Sequence, residues 1–126
     1  MSDSATIAAF IRTAIACGEA HGTDALTPVQ KTVFLIAEAE IHADMGGDLL
    51  CRYRREQFVQ FADAFAAIGA TDIAARFLAC AADRKNPAQD SALYNIISAR
   101  LNYSHEHIAA YVATQLYTED NTKKPE

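Results

Sequence analysis

The segment that most restricts the fold is a run of five apolar residues, 33–37, inside a helix with clear ends. Thr27 is a natural N-cap, and Pro28 fits the first helical position, where its missing N–H costs nothing. Gly46 and Gly47 are expected to stop the helix, because glycine adopts the left-handed conformation at a helix C-terminus cheaply. Five apolar residues in a row are too many for one stripe of a helix surface. We therefore expect a central helix, 28–45, with neighbours on more than one side.

Helical periodicity predicts the other elements as well. Roughly one residue in five is Ala, the best helix former, and neither a useful apolar/polar alternation nor an Asn-Gly or Asp-Gly turn is present. Further helices are expected to start near Ser4, before Phe58, at Thr71, near Asp90 and after Ser104. The sequence thus predicts an all-α fold, with a single compact domain of five or six antiparallel-type helices over residues 1–117. Residues 118–126, without an apolar side chain, are expected to form a flexible C-terminal tail.

Composition and charge exclude several classes of protein. The chain has 126 residues, of which 51% are hydrophobic, and a net charge of −5. A disordered chain is excluded by the apolar content, and direct nucleic-acid binding is not expected without an excess of Lys and Arg. No segment is long and apolar enough for a membrane span. The start of the chain lacks the basic residues of a signal peptide, and three widely spaced cysteines fit reduced thiols, so we expect a cytoplasmic protein.

The charges of the chain are unevenly distributed. Residues 1–50 hold seven acids and two bases, whereas residues 51–86 hold four acids and six bases. The basic excess begins at Arg52, Arg54 and Arg55, which surround an aromatic residue. This mixture is typical of contacts with acidic proteins, but it also fits a salt-bridge cluster within the chain.

Carboxylates lie on the central helix itself. At 100° per residue, Glu38 and His42 share one face, whereas Glu40 and Asp44 fall beside the apolar positions Val33 and Ile36. Carboxylates in an apolar sector are costly unless they are paired or bound. Two alternatives remain open: these acids hydrogen-bond a neighbouring helix end or an Arg, or they form a surface that binds a partner.

The sequence offers only weak support for a catalytic or metal-binding site. A di-metal bundle needs Glu-x-x-His pairs, and no histidine here has a glutamate three residues before it. Cys51 is next to Arg52, yet no base or oxyanion site can be assigned to it. We therefore assign no catalytic residue, metal ligand or cofactor. An alternative function is a small ligand- or metal-binding helical protein using Glu38, His42 and the His105/His107 pair; an enzyme using Cys51 or His42 is a third hypothesis.

Two stretches carry a resemblance to a known family. The first is His42-Ala43-Asp44-Met45-Gly46-Gly47-Asp48-Leu49-Leu50-Cys51, and the second is Ala67-Ile68-Gly69-Ala70 followed by Ala74-Ala75-Arg76-Phe77-Leu78. Over residues 26–117 the chain resembles the helical family of mostly uncharacterised bacterial proteins named for a DNA-mimic protein. The resemblance implies a helical fold. For the characterised branch it also implies a dimer whose carboxylates imitate DNA phosphates and occupy a transcription factor.

Taken together, these features predict a non-enzymatic protein–protein interaction module that acts through an acidic helical face. An inhibitor, an immunity protein or a DNA-mimic-like regulator would each work in this way. The partner is expected to be another protein of unknown identity, and a homodimer is plausible because the Ala-rich faces could pack between subunits. The predicted partner-binding residues are Glu38, Glu40, Asp44, Asp48, Arg52 and Arg54.

Overall fold

The computed structural model describes residues 4–45, 53–83 and 87–123. Within these ranges the chain forms six α-helices, a short 3-10 helix and no β-strand, which confirms the predicted all-α fold. The helices are α1 (Ser4–His21), the 3-10 helix Thr23–Ala25, α2 (Pro28–Asp44), α3 (Arg55–Ala67), α4 (Thr71–Ala82), α5 (Pro87–Ser98) and α6 (His105–Lys123). None of these helices combines the length and the apolar character needed to cross a bilayer.

Helix α2 lies at the centre of the fold, as its apolar run predicts. Four consecutive residues of that run are buried: Val33, Phe34, Leu35 and Ile36. The helix packs against α1 on one side and α3 on another, and it also contacts α5 and α6. Helix α2 therefore has neighbours on more than one side, as expected.

The start of α2 is fixed by a capping box. The Gln30 N–H donates to Thr27 Oγ1 at 3.3 Å, and the Thr27 N–H donates to Gln30 Oε1 at 3.0 Å. Pro28 follows at the first helical position, so the predicted N-terminus is confirmed. At the other end, Met45 is the C-cap residue, and its N–H donates to the Ile41 carbonyl at 3.1 Å.

Close approach between α1 and α2 depends on a glycine. A Cβ placed on Gly18 would lie 2.6 Å from Cγ of the Phe34 ring. Gly18 is therefore an interior residue of α1 that lets the aromatic ring pack directly against the helix backbone.

Helices α3 and α4 form an antiparallel hairpin through a tight turn at Gly69. Its φ is +87°, and the Ala70 N–H donates to the Phe65 carbonyl at 2.9 Å while the Gly69 N–H donates to the Ala66 carbonyl at 3.0 Å. This is the Schellman pattern, for which glycine is the preferred residue. The hairpin buries an aromatic cluster, in which the Phe77 ring stacks on Phe61 at 5.2 Å and on Phe65 at 5.5 Å.

Two helix boundaries differ from the sequence expectation. Helix α5 begins at Pro87 rather than near Asp90, because proline is readily accepted in the first turn of a helix. Helix α6 continues to Lys123, six residues beyond the predicted domain end at residue 117, and the flexibility expected of residues 118–126 stays a prediction. No Gly or Pro interrupts residues 105–123, and extending an established helix costs little even through polar residues.

Candidate functional site

Three carboxylates project from the last two turns of α2. Glu40 and Asp44 lie one turn apart on one side of the helix, and Glu38 lies on another. The side chains of Glu38 and Glu40 are half-buried, whereas that of Asp44 is 50% exposed. The predicted separation of these acids over two sides of the helix is thus matched by two different sets of contacts.

Arg100 contacts the first pair of carboxylates. Its Nη1 and Nη2 donate to the two oxygens of Asp44 at 3.0 and 2.9 Å, and its Nε lies 3.1 Å from Glu40 Oε2. The same Nη1 donates to the Ile97 carbonyl at 2.9 Å, near the end of α5. The hydrogen bond from Arg100 lowers the pKa of the Asp44 carboxyl below its usual value, and Asp44 in turn raises the pKa of the guanidinium. Arg100 therefore compensates Glu40 and Asp44 within the chain, which confirms the pairing alternative for these two acids.

The backbone position of Arg100 is unusual. Its φ is +52°, and it occupies the left-handed position of a second Schellman pattern at the end of α5. Here the Arg100 N–H donates to the Ile97 carbonyl at 2.9 Å, and the Leu101 N–H donates to the Ile96 carbonyl at 3.1 Å. Gly69 fills the equivalent position after α3, without a Cβ to strain. An arginine at this position has a higher conformational free energy than glycine would have, but its side chain extends to α2.

Tyr103 completes the contacts of Glu40. The tyrosine is buried, its hydroxyl donates to Glu40 Oε2 at 2.6 Å, and its ring packs edge-on against Phe65 at 5.6 Å. Burial, and next the hydrogen bond to Glu40, raise the pKa of the Tyr103 phenol far above its usual value. Tyr103 therefore stays protonated and acts as a donor at any physiological pH.

Glu38 belongs to a second cluster on the other side of α2. Its Oε2 accepts a hydrogen bond from the Tyr53 hydroxyl at 2.9 Å and lies 3.6 Å from Nε2 of His42. The His42 ring packs edge-on against Tyr53 at 5.8 Å, and Tyr53 packs edge-on against Phe61 at 5.0 Å. This cluster joins the end of α2 to the start of α3 and keeps Glu38 within hydrogen-bonding reach of an aromatic hydroxyl.

Exposed apolar side chains lie beside these carboxylates. Ile41 is 43% exposed and Met45 is 80% exposed, and the two are one helical turn apart at the C-terminal end of α2. The end of α2 thus combines a central apolar pair with polar and charged neighbours. We call the surface formed by Glu38, Glu40, Ile41, Asp44 and Met45 the α2 end surface.

The remaining predicted residues are only partly placed. Arg54 is exposed immediately before α3, where its N–H donates to Gln57 Oε1 at 2.9 Å. Asp48 and Arg52 lie outside the described residues, as do the predicted helix stop Gly46–Gly47 and Cys51.

The residues of the metal-binding alternative are found in different surroundings. Glu38 is beside His42, whereas His105 lines a groove next to Glu40 and Arg100. The His107 ring accepts from the Ser104 N–H at 3.0 Å and thereby caps the start of α6. In the part of the chain that the structure describes, no three His, Cys, Asp or Glu side chains come together as a ligand set for a metal ion.

Sequence reasoning did not single out Arg100, Tyr103 or Tyr53 as partners of these acids. Tyr103 and Arg100 are separated from α2 by more than fifty residues of chain, so no local pattern connects them. Asn102, a residue that tolerates positive φ, was the one local sign of an unusual turn.

Comparison with known proteins adds no relative: no family model matches the chain, and neither a curated protein nor a solved structure is significantly similar to it.

Proposed function

We propose that this chain is a non-enzymatic protein–protein interaction module and that the α2 end surface is the part that contacts its partner. The observation that carries the proposal is the exposure of Met45 and Ile41, 80% and 43%, beside half-buried carboxylates. Apolar centres with a polar and charged rim are the usual composition of protein interfaces, and methionine is enriched in them. Met45 also has the flexibility to fit an irregular partner surface.

The charge of the surface favours one kind of recognition. Arg100 compensates Glu40 and Asp44, so the surface offers few free negative charges. Dense, regularly spaced carboxylates are what imitation of DNA phosphates would need. We therefore favour an inhibitor or an immunity protein, which binds through apolar contacts and a charged rim, over a DNA-mimic-like regulator.

Several further features belong to the same proposal. Asp48, Arg52 and Arg54 are proposed as additional contacts with the partner. The partner is another protein rather than a nucleic acid, since the net charge of the chain is −5. A cytoplasmic location and a homodimeric form are also part of the proposal.

The test is quantitative capture from a nuclease-treated lysate of the source organism. The tagged chain is compared with Ile41→Asp and Met45→Asp variants and with Leu78→Asp as the matched control. Leu78 lies on α4 and is 49% exposed, so its variant adds the same charge at a comparable apolar position elsewhere.

We expect one protein that is retained in a fixed ratio to the wild-type chain. The two α2 variants should retain at least about tenfold less of it, because a buried charge without a partner costs more than 1.4 kcal/mol. The Leu78→Asp variant should retain as much as the wild-type chain. Equal retention by all four folded proteins would rule out the α2 end surface as the contact.

A further inference from the structure

The loop between α5 and α6 is attached to two other helices by side-chain contacts. We call residues 99–102 the Arg100 loop. Arg100 contacts Asp44 and Glu40 on α2, and the Asn102 amide donates to the Asp72 carboxylate on α4. Tyr103 follows the loop and is buried between Glu40 and Phe65, so it anchors the C-terminal end of the loop in the core.

The Arg100 loop has an unfavourable backbone conformation at Arg100. Arg100 and Asn102 have φ values of +52° and +61°; the left-handed region is unfavourable for arginine, whereas asparagine tolerates it. Arg100 is maintained in this conformation by the contacts around it. Once the side-chain contacts of Arg100 are lost, the backbone hydrogen bonds of the Schellman pattern are left to hold this strained position.

The ion pairs that attach the Arg100 side chain to α2 are accessible to water and salt. The side chain of Arg100 is 35% exposed and that of Asp44 is 50% exposed. Ion pairs at such positions are weakened by salt and are among the easier contacts of a protein to break. Tyr103, in contrast, is 5% exposed and is therefore held by the core.

We propose that the Arg100 loop opens as a unit, with the Arg100 ion pairs breaking first and Tyr103 staying fixed, and that opening releases the carboxylates of Asp44 and Glu40 from the guanidinium. Closed, the loop keeps these charges compensated inside the chain. Open, it makes them available at the α2 end surface, a consequence that rests on the proposed function. Opening itself is a property of this chain alone and is measurable without a partner.

Limited trypsin digestion measures the opening through the cleavage rate of one peptide bond. Cleavage between Arg100 and Leu101 requires the Arg100 side chain to enter the protease pocket, so the guanidinium must first leave Asp44 and Glu40. The bond between Arg76 and Phe77, in the middle of α4, is cleaved only when that helix unfolds, and it reports wider unfolding. Both bonds are followed by mass spectrometry in the full-length chain.

The decisive comparison uses Asp44→Asn, with Asp63→Asn as the control. Both aspartates are exposed, and both substitutions remove one negative charge, but Asp63 lies on α3 and does not contact Arg100. We expect Asp44→Asn to accelerate cleavage after Arg100 about tenfold, with no change after Arg76, and Asp63→Asn to leave both rates unchanged.

A second comparison uses salt. Raising KCl from about 0.05 to 1 M should accelerate cleavage after Arg100 in the wild-type chain more than in Asp44→Asn. Each rate is corrected for the effect of salt on trypsin with a small arginine ester. An unchanged rate after Arg100 in Asp44→Asn, or a parallel rise after Arg76, would overturn the proposal. Either result would leave the test of the proposed function, which is made by capture, unaffected.

Discussion

Substitution of Arg100 by glycine and by alanine separates its backbone strain from its side-chain contacts. Both variants lose the same contacts to Asp44 and Glu40, so the difference between them reports the backbone alone. At a φ of +52° a Cβ costs about 1–2 kcal/mol, whereas glycine loses up to about 1 kcal/mol because its unfolded chain is more flexible. Arg100→Gly should therefore be more stable than Arg100→Ala by about 1 kcal/mol.

The assay is thermal and urea unfolding of both variants and of the wild-type chain. A difference of about 1 kcal/mol corresponds to about 4 °C in the melting temperature of a domain of this size. Gly69→Ala is the reciprocal control, because Gly69 occupies the same position of the same motif, and by the same reasoning it should lose about 1 kcal/mol. If Arg100→Ala were as stable as Arg100→Gly while Gly69→Ala lost stability as expected, the strained backbone at Arg100 would be refuted.

Three further predictions follow from single contacts. Because the pKa of Tyr103 is raised, its stabilising effect is present below pH 10 and is lost as pH rises through the elevated value. Ultraviolet titrations of the wild-type chain and of Tyr103→Phe should therefore differ by one tyrosine, which ionises only on unfolding. The lowered pKa of Asp44 adds stability above its ordinary value of 3.8 that is lost as pH falls through the folded value, so Asp44→Asn should flatten the acid limb of a stability–pH curve. Gly18→Ala should cost about 1–2 kcal/mol in urea unfolding through overlap with the Phe34 ring, and Phe34→Leu should reduce that cost; an additive double variant would contradict the overlap.

The helices could be predicted because their signals are local. The Thr27–Pro28 start of α2, its apolar run and the Gly69 turn each depend on residues within a few positions of one another. The boundaries that differed, at Pro87 and after residue 117, depend on how far a helix continues once it is established. Composition at the ends of a helix does not determine that extension.

The candidate site was only partly predictable because its contacts are long-range. The acids of α2 were expected to need a partner such as an Arg, but nothing in the sequence selected Arg100, which is 56 residues from Asp44. The turn that presents Arg100 also breaks the usual preference, since glycine is expected at a left-handed helix end. Which arginine pairs with the acids of α2 depends on α5 lying beside α2, and this is a property of the packed fold rather than of the local sequence.

Oxidation of Met45 tests the central claim most directly. With the captured partner in hand, dilute hydrogen peroxide is added to the free chain and to the complex, with free methionine as the measure of dose. Because the Met45 side chain is 80% exposed, its sulfur should oxidise rapidly in the free chain. If the α2 end surface contacts the partner, Met45 should oxidise at least fivefold more slowly in the complex than in the free chain. A fivefold difference corresponds to a free energy of about 1 kcal/mol. An unchanged rate in an intact complex would contradict the claim that this surface binds the partner.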